Sequence, residues 1–350
     1  MADRHIIRFK DIEIILPSPP AARLAGHFRC EVYECRELMN GKSIEIPKTR
    51  RVVGEFPNII TNTGLDHIGN GGTFGLYCHV GTGSAAESIN DTTLDTFVAS
   101  QANASYGPTG SVLWWTNGSA PFWGNAQKKY RFAPGFAGGA INVAELGVSP
   151  QATTGNLFCR ALVKTGGVPT VAPVANDEYF DVYYTLRNYP GHCNNVTGAY
   201  DDGSGTLTIG VTTYNYVIRT AYINQNKFWS RSLFGGFNPV YEEGFYNRAE
   251  YAAPTSSLGT LYQGIQSTVD TASHSYTWTN GTGTYVNSSY TNSMDYQLGL
   301  DEGNLTGGIA GFTGFSTLGA YQWTIDGAVP KDNTKIMNWG FQQTWTRHAL

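Results

Sequence analysis

The sequence predicts an all-β protein, a β-sandwich or jelly-roll-like fold, with one or two β modules plus an N-terminal arm. Three observations predict it. Aromatic residues make up 13% of the 350 residues and charged residues only 14%, about half the usual charged share. Glycine is abundant at 42 residues, and Thr, Asn and Ser fill much of the remaining polar composition. Short apolar or alternating runs recur along the chain, whereas 3.6-residue periodicity is scarce. Tyr, Thr, Phe and Trp suit a pleated, half-buried surface, and Gly, Asn, Asp and Ser suit the turns between strands. The apolar share of 41% supports a sizeable core at this length. No repeat with a period of about 20–50 residues is present, which disfavours a solenoid, propeller or β-helix.

Residues 1–55 form the first predicted unit, an attachment arm. They hold 10 of the 23 basic and 8 of the 27 acidic residues. Ile12, Ile14 and Leu16 lie at period two, and Pro19-Pro20 excludes a helix across that point. Short pieces such as IEII are suited to adding to a partner's sheet edge; the alternative is that they supply edge strands to this protein's own sandwich. A first sandwich module is predicted over 56–200. VVGEFPNIITNTGLDHIGNGG reads as a strand running into a Gly-rich loop, and TFGLYCHVGTG as a buried strand ending in a tight turn. DTTLDTFVAS (91–100) fits either a short helical turn capped by Asp91 or a strand. VLWW, AQKKYRFAPG, INVAELGV, LFCRALVK and EYFDVYYTLR are five further strand signals. In the last, Phe180, Val182 and Tyr184 alternate with Asp181, Tyr183 and Thr185, the half-buried pattern. A turn-rich break near 190–205 leads to a second, aromatic-rich module over 201–350, although the two modules are also compatible with one domain. It begins TLTIGVTTYNYVIRTAYI and ends with GAYQWTIDGAVPKD and MNWGFQQTWTR, two strands around a Pro-Lys turn.

Composition also excludes function classes. A formal net charge of −4 does not suit a nucleic-acid binder, which needs a basic face to neutralise phosphates. No stretch approaches the ~20 apolar residues of a membrane span, and the charged start MADRHIIRFKDIEI does not read as a signal peptide. Cys30, Cys35, Cys78, Cys159 and Cys193 are an odd set, expected as free thiols of a reducing cytoplasm; Cys30 and Cys35 remain a possible pair. The sequons at Asn117, Asn195 and Asn280 are read as accidents of an Asn-, Ser- and Thr-rich chain.

Catalytic, cofactor-binding and metal-ligating residues are all predicted to be none. Nucleophile-elbow, zincin and Walker A patterns are missing. Gly69, Gly71, Gly72 and Gly75 cluster, but Phe74 occupies the last position of a dinucleotide fingerprint, so a flexible turn is expected. Cys78-His79 and His192-Cys193 are adjacent pairs, which on a strand point to opposite faces and do not converge on a metal. Asp201-Asp202, Glu242-Glu243 and Asp301-Glu302 read as loop tips rather than the facing acids of a glycosidase. The eight tryptophans (Trp114, Trp115, Trp123, Trp229, Trp278, Trp323, Trp339, Trp345) are expected mostly in cores or interfaces, where burying a large ring is favourable by about 2–3 kcal/mol. Glu145 and Arg160 lie inside apolar strands. They are the charges expected to be partly buried, each then requiring a partner; facing solvent is the alternative.

Several segments resemble tail-associated virion structural proteins of tailed bacteriophages. They are GEFPNIITNTGLDHIGN (54–70), HVGTGSAAESINDTTLDTFVA (79–99), the run from INVAELGV (141–148) through LFCRALV (157–163) to NDEYFDVYYTLR (176–187), and GAYQWTIDGAVPKDNTKIMNWGFQQTWTR (319–347). The resemblance rests on the order of a Glu-Leu-Gly strand, a Phe-x-Arg strand and a closing Tyr strand, and spans about half the chain; residues 1–55 and 226–296 fall outside it. It implies a non-enzymatic component of the tail, baseplate or neck, a homo-oligomer that holds other virion proteins and is assembled in the host cytoplasm. A receptor-binding protein for host surface glycans is the alternative, and a polysaccharide depolymerase the third reading.

Overall fold

Leu24, Gly26, Phe28, Cys30 and Val32 alternate with Ala25, His27, Arg29 and Glu31, and the structure builds on that stretch. The computed structural model describes residues 11–19, 21–37, 43–46, 48–71, 73–104, 113–117, 123–189, 203–220, 244–247, 285–301, 304 and 307–348. In chain order the first strands are β1 (Ile12–Leu16), β2 (Ala22–Glu37), β3 (Ser43–Glu45), β4 (Arg51–Ile60), β5 (Tyr77–Gly81), β6 (Phe97–Ala104), β7 (Leu113–Asn117) and β8 (Trp123–Phe132). They are followed by β9 (Ile141–Val143), β10 (Glu145–Ser149), β11 (Cys159–Leu162), β12 (Lys164–Thr165), β13 (Val168–Pro169), β14 (Ala172–Val174) and β15 (Glu178–Tyr189). The last are β16 (Gly203–Ile209), β17 (Thr212–Thr220), β18 (Gly244–Asn247), β19 (Thr291–Leu298), β20 (Ile309–Ser316), β21 (Gly319–Val329) and β22 (Met337–Arg347). One helix, α1 (Asn62–Gly69), is described. The all-β class is therefore correct.

The architecture is not the expected sandwich. Eight strands close in the order β2-β15-β8-β6-β5-β10-β11-β4, and β4 returns to β2. Every pairing around the ring is antiparallel, which an even strand number permits. The physical reason for closure is β2. It pairs with β15 from Arg23 to Glu34 and with β4 from Gly26 to Val32, with a register shift at Cys30/Glu31; such irregularities add the local bend and twist that closing a sheet requires. Alternation shows which side chains share a face, but not whether the two edges of a sheet meet.

The barrel interior is filled with side chains. Phe28, Cys30 and Val32 of β2 sit opposite Tyr184, Val182 and Phe180 of β15, and Phe132 and Tyr130 of β8 sit opposite Phe180 and Val182; all are buried. Ring centroids lie 5.0 Å apart for Phe28–Tyr184 and 4.1 Å for the stacked Phe74–Phe158 pair.

A second, five-stranded sheet has the order β16-β17-β21-β20-β18. It faces a flange in which β22 pairs with β19 on one edge and with β1, then β2, on the other. Trp323 lies 4.6 Å from Phe341 and Phe312 lies 5.0 Å from Trp339, centroid to centroid. Trp323 Nε1 also donates to Pro17 O at 2.9 Å. Here two sheets do pack face to face, as in a sandwich, but as an annex to the barrel. The final two strands around Pro330-Lys331 are present, yet they do not pair with each other: β21 joins the second sheet and β22 the flange.

The sheet crosses the unit boundaries read from composition. The stretch expected as an attachment arm supplies the barrel strand β2 and the first half of β4, the short β3 beside β2, and one flange strand, β1. The module boundary near 200 is crossed by β22, whose Trp345 pairs with Ala22. Of the arm, residues 1–10 lie outside the described residues.

Helix α1 replaces the expected strand-into-loop. Thr61 caps it, its side chain accepting from Gly64 N at 2.9 Å. Trp345 Nε1 donates to Leu65 O at 3.0 Å, and Arg347 Nη2 to Asn62 Oδ1 at 2.5 Å. A Cβ on Gly64 would come within 2.0 Å of Phe158 O, so this glycine is a requirement of close approach. A Gly in a helix costs about 1 kcal/mol relative to Ala; tertiary contacts override that preference here. Asp91 caps no helix: residues 91–96 are irregular and β6 follows.

Truncation to begin at Gly54 removes β1, β2, β3 and the start of β4, and so opens the barrel along two seams. The truncated protein is expected to lose cooperative unfolding and accumulate in the insoluble fraction. A soluble product with a sharp thermal transition and native near-ultraviolet circular dichroism would refute the closed-barrel role of β2.

Candidate functional site

Glu145 opens β10, and Arg160 lies on its neighbour β11. Leu146, Val148, Cys159 and Ala161 take the interior side of these strands, which puts Glu145 and Arg160 on the outer face. Both are nevertheless buried, at 0% and 2% exposure, because the loop 82–96 folds over them. Arg160 Nε donates to Glu145 Oε2 at 3.0 Å. Its Nη1 donates to Asp91 Oδ2 at 2.8 Å, and its Nη2 to Ala85 O at 2.9 Å. The Glu145 carboxylate also accepts from the backbone N–H groups of Gly83 at 3.1 Å, Asp95 at 3.0 Å and Thr96 at 2.7 Å. A Cβ on Gly83 would lie 2.5 Å from Glu145 Oε1. Asp95 Oδ2 accepts from Ser84 N and Ala85 N, and Glu87 Oε1 accepts from Leu162 N while pairing with Lys164. The expectation that Glu145 and Arg160 are buried with partners is met: they partner each other, and together they clamp the loop. Ion pairing alone seldom repays the desolvation of two buried charges; the added backbone hydrogen bonds complete the compensation.

A second charged cluster lies on the outer face of β2, β15 and β8. Asp181 is fully buried and accepts from Arg131 at 2.8 and 2.9 Å, with Lys129 Nζ at 2.8 Å. Arg50 bridges Glu31 and Glu45, and its guanidinium lies 4.1 Å from the Tyr33 ring centroid. Tyr33 in turn stacks on Tyr179 at 5.6 Å. Burial alone would raise the Asp181 carboxyl, but hydrogen bonds from Arg131 and Lys129 outweigh it and hold the group below its ordinary value. Period-two spacing identifies these outward positions; it does not reveal that they converge across three strands.

Cys78 and His79 point to opposite faces, as adjacent strand residues must. Cys78 faces the interior, where Cys30 and Cys159 are also buried, and burial pushes these thiols up. His79 Nε2 lies 2.8 Å from Gln151 O, and burial holds its imidazole below the usual value. Cys30 and Cys35 are free; five residues apart on one strand, they occupy opposite faces. Lys128 is buried opposite Tyr184, and burial pushes its ammonium down to about 8. Among the described residues no group of three or more His, Cys, Asp or Glu is placed to hold a metal, and no described helix is long and apolar enough to cross a membrane.

Gly71 and Gly75 adopt positive φ of 66° and 69°, conformations that favour glycine, in keeping with the expected turn; Gly72 is outside the described residues. So are His192-Cys193, Asp201-Asp202, Glu242-Glu243 and Glu302, while Asp301 is exposed in a turn. Trp323, Trp339 and Trp345 are buried, and Trp123 is half-buried with the Arg187 guanidinium 4.3 Å from its centroid. Trp114 and Trp115 lie on β7, whose side chains are not described, and Trp229 and Trp278 fall outside.

The feature that composition and motifs did not reveal is a groove of about 550 Å³ on the flange. Glu13 and Ile15 of β1, Asn338, Gly340 and Gln342 of β22, and Ser293 and Asp295 of β19 line it. Gly340 pairs with Ile15 on one side and Asp295 on the other, so the floor lacks a side chain at its centre. Among the described residues no Lys or Arg lines it, and partial desolvation raises the Asp295 carboxyl. Comparison with family models, curated proteins and solved structures finds no match.

Two predictions follow from these clusters. Arg160→Met leaves the Glu145 carboxylate without its cation and is expected to cost about 3–5 kcal/mol. Glu145→Gln costs less, about 1–3 kcal/mol, and the double variant loses less than the sum, because the two act as one unit. Urea denaturation of all three measures this; unchanged midpoints would show that the pair does not hold the loop.

Stability should also fall with acid in two stages. His67 and His79 are held low by burial, so the unfolded chain takes up their protons first, and stability declines as pH drops below about 6.5. The Asp181 contribution is present above about pH 3.9 and is lost as pH falls through its lowered folded value. A denaturation midpoint that is flat between about pH 7.5 and 5.5 would contradict the first stage.

Proposed function

We propose that this chain is a structural assembly protein of a tailed bacteriophage particle, in its tail, baseplate or neck, working as a homo-oligomer that holds neighbouring virion subunits. The observation that carries this reading is the flange: a three-stranded sheet extends beyond a barrel whose interior is filled, and it presents an open groove with an exposed Ile15 and two acidic residues. The resemblance of the ordered strand segments to tail-associated virion proteins supports it independently. In this reading the clamp at Glu145 and Arg160 keeps the 82–96 loop rigid, and rigidity suits a part that transmits load through repeated symmetric interfaces. A glycan-binding role gains less support, since Trp323, Trp339 and Trp345 are buried and the Trp123 ring is engaged by Arg187.

The test is to purify the particles that contain this chain and measure its copy number and position, by quantitative mass spectrometry and by labelling the chain for electron microscopy. A fixed copy number matching the particle's rotational symmetry, located at the tail, baseplate or neck, is expected. Absence of the chain from purified particles would overturn the reading.

A further inference from the structure

We propose that the flange groove receives residues 4–10 of a second copy of this chain. The inference rests on the assembly reading and names one contact through which assembly proceeds. Along β1, Ile14 and Leu16 are buried at 1% and 2%, while Ile15 between them is 74% exposed. Ile15, Gly340 and Asp295 form one row across the three strands, and Glu13, Asn338 and Gln297 form the next. The groove thus offers an apolar side chain beside a glycine floor, with a carboxylate at each side. Among the described residues neither the Glu13 nor the Asp295 carboxylate has a hydrogen-bond or ion-pair partner. An occupant that completes this surface carries one apolar group flanked by cations. The same patch on another copy does not qualify, because it would set carboxylate against carboxylate.

Residues 4–10 read Arg-His-Ile-Ile-Arg-Phe-Lys. In an extended segment Arg4, Ile6, Arg8 and Lys10 share one face. That face places an isoleucine between two arginines, each about 6.6–7 Å from it along the chain, a spacing that lets Ile6 meet Ile15 and Gly340 while Arg4 and Arg8 approach Glu13 and Asp295. The chain enters β1 at its Glu13 end, where Ile12 N bonds Ile336 O at 2.8 Å. To fill its own groove it would have to double back between Arg8 and Ile12, a stretch in which Asp11 is the single turn-forming residue, and occupancy within one chain would leave the protein monomeric. The neighbouring copy's groove is free of this constraint. Residues 4–10 lie outside those described.

Sedimentation velocity of the full chain over a concentration series tests the proposal. The unsubstituted protein is expected to self-associate, and to do so more weakly as sodium chloride is added. A groove variant, Glu13→Lys with Asp295→Lys, and a segment variant, Arg4→Glu with Arg8→Glu, are each expected to weaken association at least about tenfold. Mixing the two variants is expected to restore it, because the reversed groove of one accepts the reversed segment of the other. A protein that stays monomeric, association indifferent to salt, or association undiminished in both variants would overturn the inference. The last result would leave the assembly reading intact through another surface, whereas absence from particles would remove the reading itself. Glu13 and Asp295 are exposed, so the groove variant is expected to keep the native circular dichroism; the salt titration reads the same contact without any substitution.

Discussion

Strand β2 is hydrogen-bonded along both of its edges, to β15 over Arg23–Glu34 and to β4 over Gly26–Val32, and the remainder of the molecule depends on that double pairing. It turns an open sheet into a ring without free edges, which removes the usual liability of an unpaired strand. It also brings Phe28, Cys30 and Val32 into the same interior as residues from far along the chain. The C-terminal end of β22 then attaches to the start of β2, so the flange and the second sheet inherit their position from the same strand.

Two polar clusters sit on the outside of this ring and do different work. Around Asp181 the charges are shared across three strands: the carboxylate is buried, while its partners Arg131 and Lys129 keep part of their side chains in water. Around Glu145 and Arg160 the loop 82–96 seals the charges from solvent, and each carboxylate oxygen is occupied by backbone or guanidinium N–H groups. Burial makes such a network costly to leave incomplete, and this explains why the loop is held in one conformation by so many separate contacts.

The flange differs from both. Its inner face is covered by the aromatic side chains of the second sheet, so the stability of β1, β19 and β22 does not require its outer face to be covered. On that outer face Ile15 is left exposed. An exposed isoleucine, a glycine floor and carboxylates without partners among the described residues are the features on which the proposed docking of a cationic, partly apolar segment rests. The assembly function proposed for the chain gives that segment a source in a neighbouring copy.

The alternation of Phe180, Val182 and Tyr184 with Asp181, Tyr183 and Thr185 made the β class and the inward face of β15 legible from sequence, because a strand's two-residue period is a local property. The burial of Glu145 and Arg160 was legible for a related reason: charges set among Ala144, Leu146, Val148, Cys159 and Ala161 are surrounded by residues that avoid water. Closure was not legible, because it depends on which strand edges meet, and β2 and β4 meet β15 and β11 across more than ninety residues of chain. Helix α1 was hidden for a similar reason. Gly64 and Gly69 oppose it locally, and the contacts that stabilise it come from Trp345 and Arg347 at the other end of the sequence. The groove was the least legible feature, since Glu13, Asp295 and Gly340 acquire meaning only when three distant strands lie side by side. Local patterning by itself determined the kind of element and which side chains share a face, because both are set within a few residues. Only the tertiary structure decided the ring, the clamp's partners and the open groove, because each is made by contacts between residues far apart in the chain.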